Sequence, residues 1–345
     1  MTEYRWTVIG AGPAGIATVG RLIDHGVEPD EIAWVDPEFT VGDFGTNWRA
    51  VSSNTRTEGF LDFFAASPAF RFAEAPHFDI HDLDPARTCQ LGLVADPLMW
   101  VSGRLAEQVK THYTVARELR LHDGHWTVAT EQGDMTSANV VLAVGATQKR
   151  LDCPGLEEIP LEVAVDPEKL GRRDLDGATV AVFGSSHSTM LVLPNLLATP
   201  ADKVINFYRS PLKYAVELDG WTLFDDSGLK GQAACWAREN IDGVQPQRLQ
   251  RCQVGGSHYD ELLNECDHVV YTVGFERRQL PATPQWGRLQ HNPSNGIIAP
   301  GVFGVGIAFP GYRTDPLGYG EYRVGLQKFM GQLNENLPVW LRYGT

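Results

Sequence analysis

Apolar residues along this chain gather in strand-length runs, each followed by a glycine turn and then by apolar positions at helical spacing; the pattern occurs twice. In its first occurrence residues 6–9 predict a buried strand and Gly10-Ala11-Gly12-Pro13-Ala14-Gly15 a tight turn. Residues 16–23 predict the helix, and a second apolar strand at 32–35 ends on Asp36. The second occurrence reads strand 179–183, turn Gly184-Ser185-Ser186-His187-Ser188-Thr189, helix 190–197 and strand 204–208, ending on Arg209. Between the two, residues 115–121, 126–130 and Met135, parted by Asp123-Gly124 and Gln132-Gly133, predict a small antiparallel meander. A buried strand at 140–144 follows and closes at Gly145. Ahead of the meander, Pro97 early in an apolar pattern predicts a helix over about 98–113 with Asp96 as its N-cap. Later elements are a linker at 152–155, a turn at Asp176-Gly177, a short helix at 261–265 and a strand at 268–273. A proline-rich crossing at 281–293, a strand at 302–305, an irregular loop at 310–320 and a last helix over about 321–333 complete the expectation.

Each position of the first turn has a physical job in a strand–turn–helix unit that holds a dinucleotide. Gly10 permits the tight turn, Gly12 lets backbone approach a pyrophosphate, and Gly15 lets the helix pack close to the strand. Pro13 and Ala14 open the helix, whose N-terminal amides favour phosphate charge, and Asp36 accepts from a ribose hydroxyl. The second turn carries Ser186 and Thr189 where glycines are expected. A second nucleotide along Gly184, Ser186 and Ser188 therefore stands beside the alternative of a crossover that binds nothing. Arg209, with Lys213 nearby, suits a 2′-phosphate, which favours NADPH over NADH at this unit.

A length of 345 residues accommodates two domains with their own cores. A formal charge of −14 argues against a nucleic-acid surface. No apolar run reaches membrane-spanning length and no secretory signal pattern is present, so the expectation is a soluble, cytoplasmic protein without a membrane partner. The five cysteines are scattered without a CxxC pair, and the histidines form no metal array, so no redox dithiol and no metal are expected.

The order of these parts resembles the flavoproteins with two dinucleotide-binding domains, and within them the flavin-containing and N-hydroxylating monooxygenases. Gly10 to Gly15, Gly45-Thr46-Asn47-Trp48, Ser53-Asn54-Thr55, Tyr271-Thr272-Val273-Gly274-Phe275 and Gly304-Val305-Gly306-Ile307 carry the resemblance. It implies an α/β fold of two Rossmann-like, three-layer ββα domains. The NADPH domain (161–285) is inserted into an FAD domain (1–160 and 286–345). It also implies FAD and NADPH as cofactors and a small-molecule substrate oxidised at nitrogen, sulfur or carbon by dioxygen through a flavin hydroperoxide. Asn54 is the implied catalytic positioning residue, and Trp48, Gly145, Gly306 and Leu317 join the cofactor contacts. The loop before the last helix, with Leu317, would bring that helix N-terminus to the flavin. The FxGxxxH signature of some of these enzymes is absent, and Ile307 stands where disulfide reductases carry aspartate. A reductase without oxygen transfer and an FAD-bound sensor are the competing readings. A pocket assembled from 60–72, 218–224 and the Tyr312 loop predicts a flat or apolar substrate. Oligomeric state is left open, a homodimer included.

Overall fold

In the computed structural model, which describes residues 3–287 and 289–343, the opening apolar run forms strand Glu3–Ile9 and helix Pro13–Asp24 follows the glycine turn. The strand lies parallel between Ile32–Val35 and Gly133–Leu142. The sheet continues to Lys110–His112 on one side and to Val302–Gly304 and Ile297–Ala299 on the other. Ala116–His122 and His125–Thr130 add the antiparallel meander. Strands covered on both faces need near-continuous apolar sequence, and Trp6, Val8, Ile32 and Trp34 are all shielded from solvent.

The second sheet is wholly parallel, in the order Glu157–Glu158, His268–Tyr271, Thr179–Phe183, Lys203–Tyr208, Leu249–Gln253. All of it falls in the chain between Gly133–Leu142 and Ile297–Ala299 of the first sheet. One α/β unit is thus inserted into another, as the resemblance implies. A two-stranded ribbon, Ala146–Gln148 against Phe275–Arg277, forms the crossing between them.

Four local expectations need correction. The helix expected at 98–113 runs Gly92–Ala106, with Pro97 inside it and Leu91 in the N-cap position. Leu91 and Gly92 donate to the carbonyls of Val51 and Arg49 at 2.9 and 2.8 Å. Those long-range bonds satisfy amides that a helix start leaves unpaired and so fix an earlier beginning than local sequence suggests. Asp96 pairs with Arg49 at 2.8 Å instead of capping, and Lys110–His112, expected to end the helix, is an edge strand. Met135 and the strand expected at 140–144 form one continuous strand, Gly133–Leu142. The loop expected at 310–320 belongs to a hairpin, Gly311–Thr314 with Gly320–Arg323, and the last helix is Leu326–Tyr343. Leu326, Phe329, Met330, Leu333, Leu337 and Trp340 give that helix its buried stripe, and Trp340 stacks on Phe303 at 4.8 Å between centroids. The crossing at 281–293 includes Arg288, which lies outside the described residues.

Candidate functional site

The first glycine turn is shaped by what would collide. A β-carbon on Gly10 would overlap the Ala143 carbonyl, one on Gly15 would overlap the Gly10 carbonyl, and one on Gly306 would lie 2.6 Å from Ala14 Cβ. Gly10 and Gly306 have φ of +110° and +83°, which side-chain-bearing residues rarely adopt. Gly12 is different, for a β-carbon there meets only the Val41 carbonyl oxygen, at 3.9 Å. Room is therefore kept at Gly12 on the side where the N-terminus of helix Pro13–Asp24 opens, the place a diphosphate needs. The facing turn is strained, since Phe39 and Val41 sit at φ +53° and +62°. Left-handed backbone at bulky residues is characteristic of ligand clamps.

Asp36 ends its strand as expected, with its carboxylate already holding loops. Oδ2 accepts from the Ala11 amide at 2.8 Å, and Oδ1 accepts from those of Glu38 and Phe39 at 2.9 and 2.8 Å. A carboxylate has lone pairs beyond these, so it retains capacity for a hydroxyl. Gly145, at φ +76°, lies beside Arg278, whose amide donates to the Gly145 carbonyl and whose guanidinium pairs with Asp43 at 2.7 Å. The structure thus brings Gly10, Gly12, Pro13, Ala14, Gly15, Asp36 and Gly306 into one cradle, with Gly145 at its edge.

The altered second turn keeps its shape by hydrogen bonds. Ser186 caps helix His187–Leu197, and its amide donates to Thr189 Oγ1 at 3.2 Å. Thr189 Oγ1 meets Thr272 Oγ1 at 2.7 Å, and Thr272 donates to the Phe183 carbonyl at 2.6 Å. Gly184 packs on this pair, and a β-carbon there would overlap Thr272. Ser188 lies in the first turn of the helix, half-buried, and Arg209 is exposed just past the strand.

Asn54 lies on strand Ser52–Arg56, not in a loop, and lines a cleft of about 1520 Å³ between the two units. Its Oδ1 accepts from Thr55 Oγ1 at 3.3 Å, and no described residue receives a bond from its amide nitrogen. His187, first residue of the second helix, donates through Nε2 to the Ser52 carbonyl at 2.9 Å. Burial, the largest cause, holds His187 below the ordinary 6.5, the Lys230 charge adds to this, and the Ser52 bond opposes it. Trp48 packs edge-on against Phe275 at 5.8 Å and on the core of the second unit, so it bridges the units.

Two expected placements differ. Leu317 sits in the hairpin turn, 72% exposed, well before the helix that it was expected to introduce. Phe60, Phe63, Phe64 and Phe70 are buried in the first core and do not reach the cleft, whereas Leu218 and Trp221 line it as expected; its walls are mixed, with Leu83 and Leu229 beside Arg56, Glu58 and Lys230. Sequence reasoning also missed how hairpin Val216–Leu223 and its flank clasp the first unit. Arg56 pairs with Glu217, and Lys328 pairs with Asp225 and Asp226 at 2.7 Å each. Glu321 accepts from the Asp226 and Ser227 amides. Burial would raise the Asp225 carboxyl, but Lys328 and Lys230 bring it below its usual value. The bonds of Arg56, Lys328 and Glu321 join segments 94 to 161 residues apart and leave no local signal. Among the described residues the five cysteines are unpaired and no group of metal-ligating side chains forms.

No family model matches the chain. It is 30% identical to a monooxygenase of Paecilomyces divaricatus, over 97% of each protein. Among solved structures, L-lysine 6-monooxygenase from Pseudomonas syringae superposes with a TM-score of 0.66 at 15% identity, covering 99% of both chains. A cyclohexanone monooxygenase from Rhodococcus sp. Phi1 bound to NADP+ superposes with a TM-score of 0.61 at 14% identity, over 99% of this chain and 86% of that one.

Proposed function

The chain belongs to the monooxygenases, and from that premise we propose that it uses FAD and NADPH and that its parts divide the work between them. The first unit, residues 1–160 and 286–345, holds FAD, and the inserted unit, 161–285, holds NADPH. Gly12 and the helix N-terminus beside it receive the FAD diphosphate, and Asp36 takes a ribose hydroxyl. Gly184, Ser186 and Ser188 line the second nucleotide. FAD, when bound there, would supply the redox and oxygen chemistry, with NADPH as the source of reducing equivalents. The protein contributes binding, orientation and exclusion of water.

One observation carries the division: the helix that opens the NADPH unit is bonded through His187 to Ser52, on the same short strand as Asn54. Both nucleotides are thereby directed at one cleft, and the Asn54 amide is placed to orient the reacting groups there. The overall change is substrate, dioxygen, NADPH and a proton going to oxygenated substrate, water and NADP+. The mixed cleft walls, apolar at Leu218 and Trp221 and charged at Arg56 and Lys230, favour a small substrate with an apolar part and a polar or charged group, oxidised at nitrogen, sulfur or carbon. Among the described residues no helix is long and apolar enough to cross a membrane, and we place the protein in the cytoplasm.

The test offers purified enzyme candidate amines, indoles and thioethers with NADPH under ¹⁸O₂. Product heavier by one labelled atom, with stoichiometric NADPH loss, is the expected result. NADPH oxidation without label in any product identifies a reductase instead.

A further inference from the structure

Asn206 is a polar residue in the middle of an apolar strand, and it is fully buried. Its Nδ2 donates to the carbonyls of Val182 and Gly184 at 3.0 and 2.9 Å, which fixes the amide; its Oδ1 accepts from Arg251 Nε at 3.1 Å. Arg251 belongs to the neighbouring strand Leu249–Gln253, where it pairs in register with Asn206. Its guanidinium lies over the Tyr208 ring, 4.2 Å from the centroid. One edge of the guanidinium is therefore bonded, one face is stacked, and the two terminal nitrogens remain as a flat fork. Among the described residues no carboxylate forms an ion pair with that fork.

A half-buried guanidinium without a paired anion has lost part of its hydration, a cost that its neutral partners Asn206 and Tyr208 offset only in part. The shift in Arg251 agrees: burial lowers its pKa, the largest cause, against weaker raising by Tyr208, Asp242 and Tyr214. An anion arriving at the fork would relieve that cost. In this fold nucleotides bind outside the carboxyl ends of the strands, and the adenosine ribose lies at the end of the second strand of the unit. That end is Tyr208, the ring on which Arg251 rests.

Resting on the assignment of this unit to NADPH, we infer that Arg251, held by Asn206 and Tyr208, recognises the cofactor's 2′-phosphate. Arg209, the residue the sequence points to, is exposed beyond the strand and would lose side-chain freedom on binding that Arg251 has already given up. Lys213 is committed elsewhere, with Nζ bonded to the Tyr319 hydroxyl at 2.9 Å.

The experiment measures binding of adenosine 2′,5′-bisphosphate and of AMP to the purified holoenzyme by calorimetry. Arg251→Gln should weaken the bisphosphate roughly 10- to 100-fold, the size of one charge-assisted pair, and leave AMP unchanged. Arg251→Lys, which keeps the charge without the fork, should fall between, and Arg209→Gln should lose less than about threefold. Equal weakening of both nucleotides in Arg251→Gln would make the residue a structural prop and overturn the inference, as would finding the main loss in Arg209→Gln. Either result leaves NADPH in place. A wild-type enzyme with no preference for the bisphosphate removes the inference and the NADPH assignment together.

Discussion

The two glycine turns of this protein solve one packing problem with different chemistry. In each, a helix must start close against the strand that precedes it. The first turn achieves this by omission, since Gly15 leaves no atom to collide with the Gly10 carbonyl. The second places a threonine at the equivalent point and turns the close approach into a hydroxyl chain, Ser186 amide to Thr189 to Thr272 to the Phe183 carbonyl. A missing glycine is thus no measure of a lost site; what matters is whether the substituted side chain finds partners that a buried hydroxyl requires. Within the first turn the glycines also divide. Gly10 and Gly15 leave no space for a side chain, whereas Gly12 has open room beside it, the room we assign to the diphosphate.

The largest effect tests that division from the fold side. Gly15→Ala should cost about 3 kcal/mol of stability, because the clash is with backbone that cannot turn aside. Urea unfolding of the variant measures it, and a midpoint equal to wild type would show that the helix can shift outward at little cost. Next comes Gly12→Val, which should retain wild-type circular dichroism while the 450 nm absorbance of the purified protein drops at least about tenfold, or ~1.4 kcal/mol in binding. A fully yellow variant would place the diphosphate elsewhere.

Smaller effects probe the second turn. Thr189→Val keeps shape and removes the hydroxyl, taking the acceptor from the Ser186 amide and a partner from the buried Thr272 hydroxyl, at a cost of about 1–2 kcal/mol. If thermal unfolding of Thr189→Gly instead matched or exceeded wild type, the second turn would be a damaged copy of the first and not a different solution. The smallest effect is in pH. His187 titrates below its unfolded value, so between those two values the unfolded chain binds more protons. Stability therefore falls as pH drops below about 6.5 and levels off beneath the folded value. Burial likewise lowers His112 and His291, so all three act in the same direction. His187→Gln should make the acid-side decline in melting temperature shallower, and an unchanged slope would assign that decline to the other two.

Both strand–turn–helix units, the meander and the acid at the end of the second strand were legible in sequence, because glycine turns and hydrophobic periodicity act over a few residues. Asn206 carried no expectation from the sequence, where 204–208 reads only as a strand, and its partner lay equally out of reach. Arg251 is 45 residues away and reaches Asn206 only through strand register. The helix start at Gly92, the mixed cleft lining around Asn54 and the clasp of Glu321 and Lys328 on Asp226 were decided in the same way, by groups brought in from distant segments. Local pattern determined which elements form and where phosphates can approach. Tertiary packing decided which side chains meet, since hydrogen bonds and ion pairs depend on distances in space that spacing along the chain does not contain.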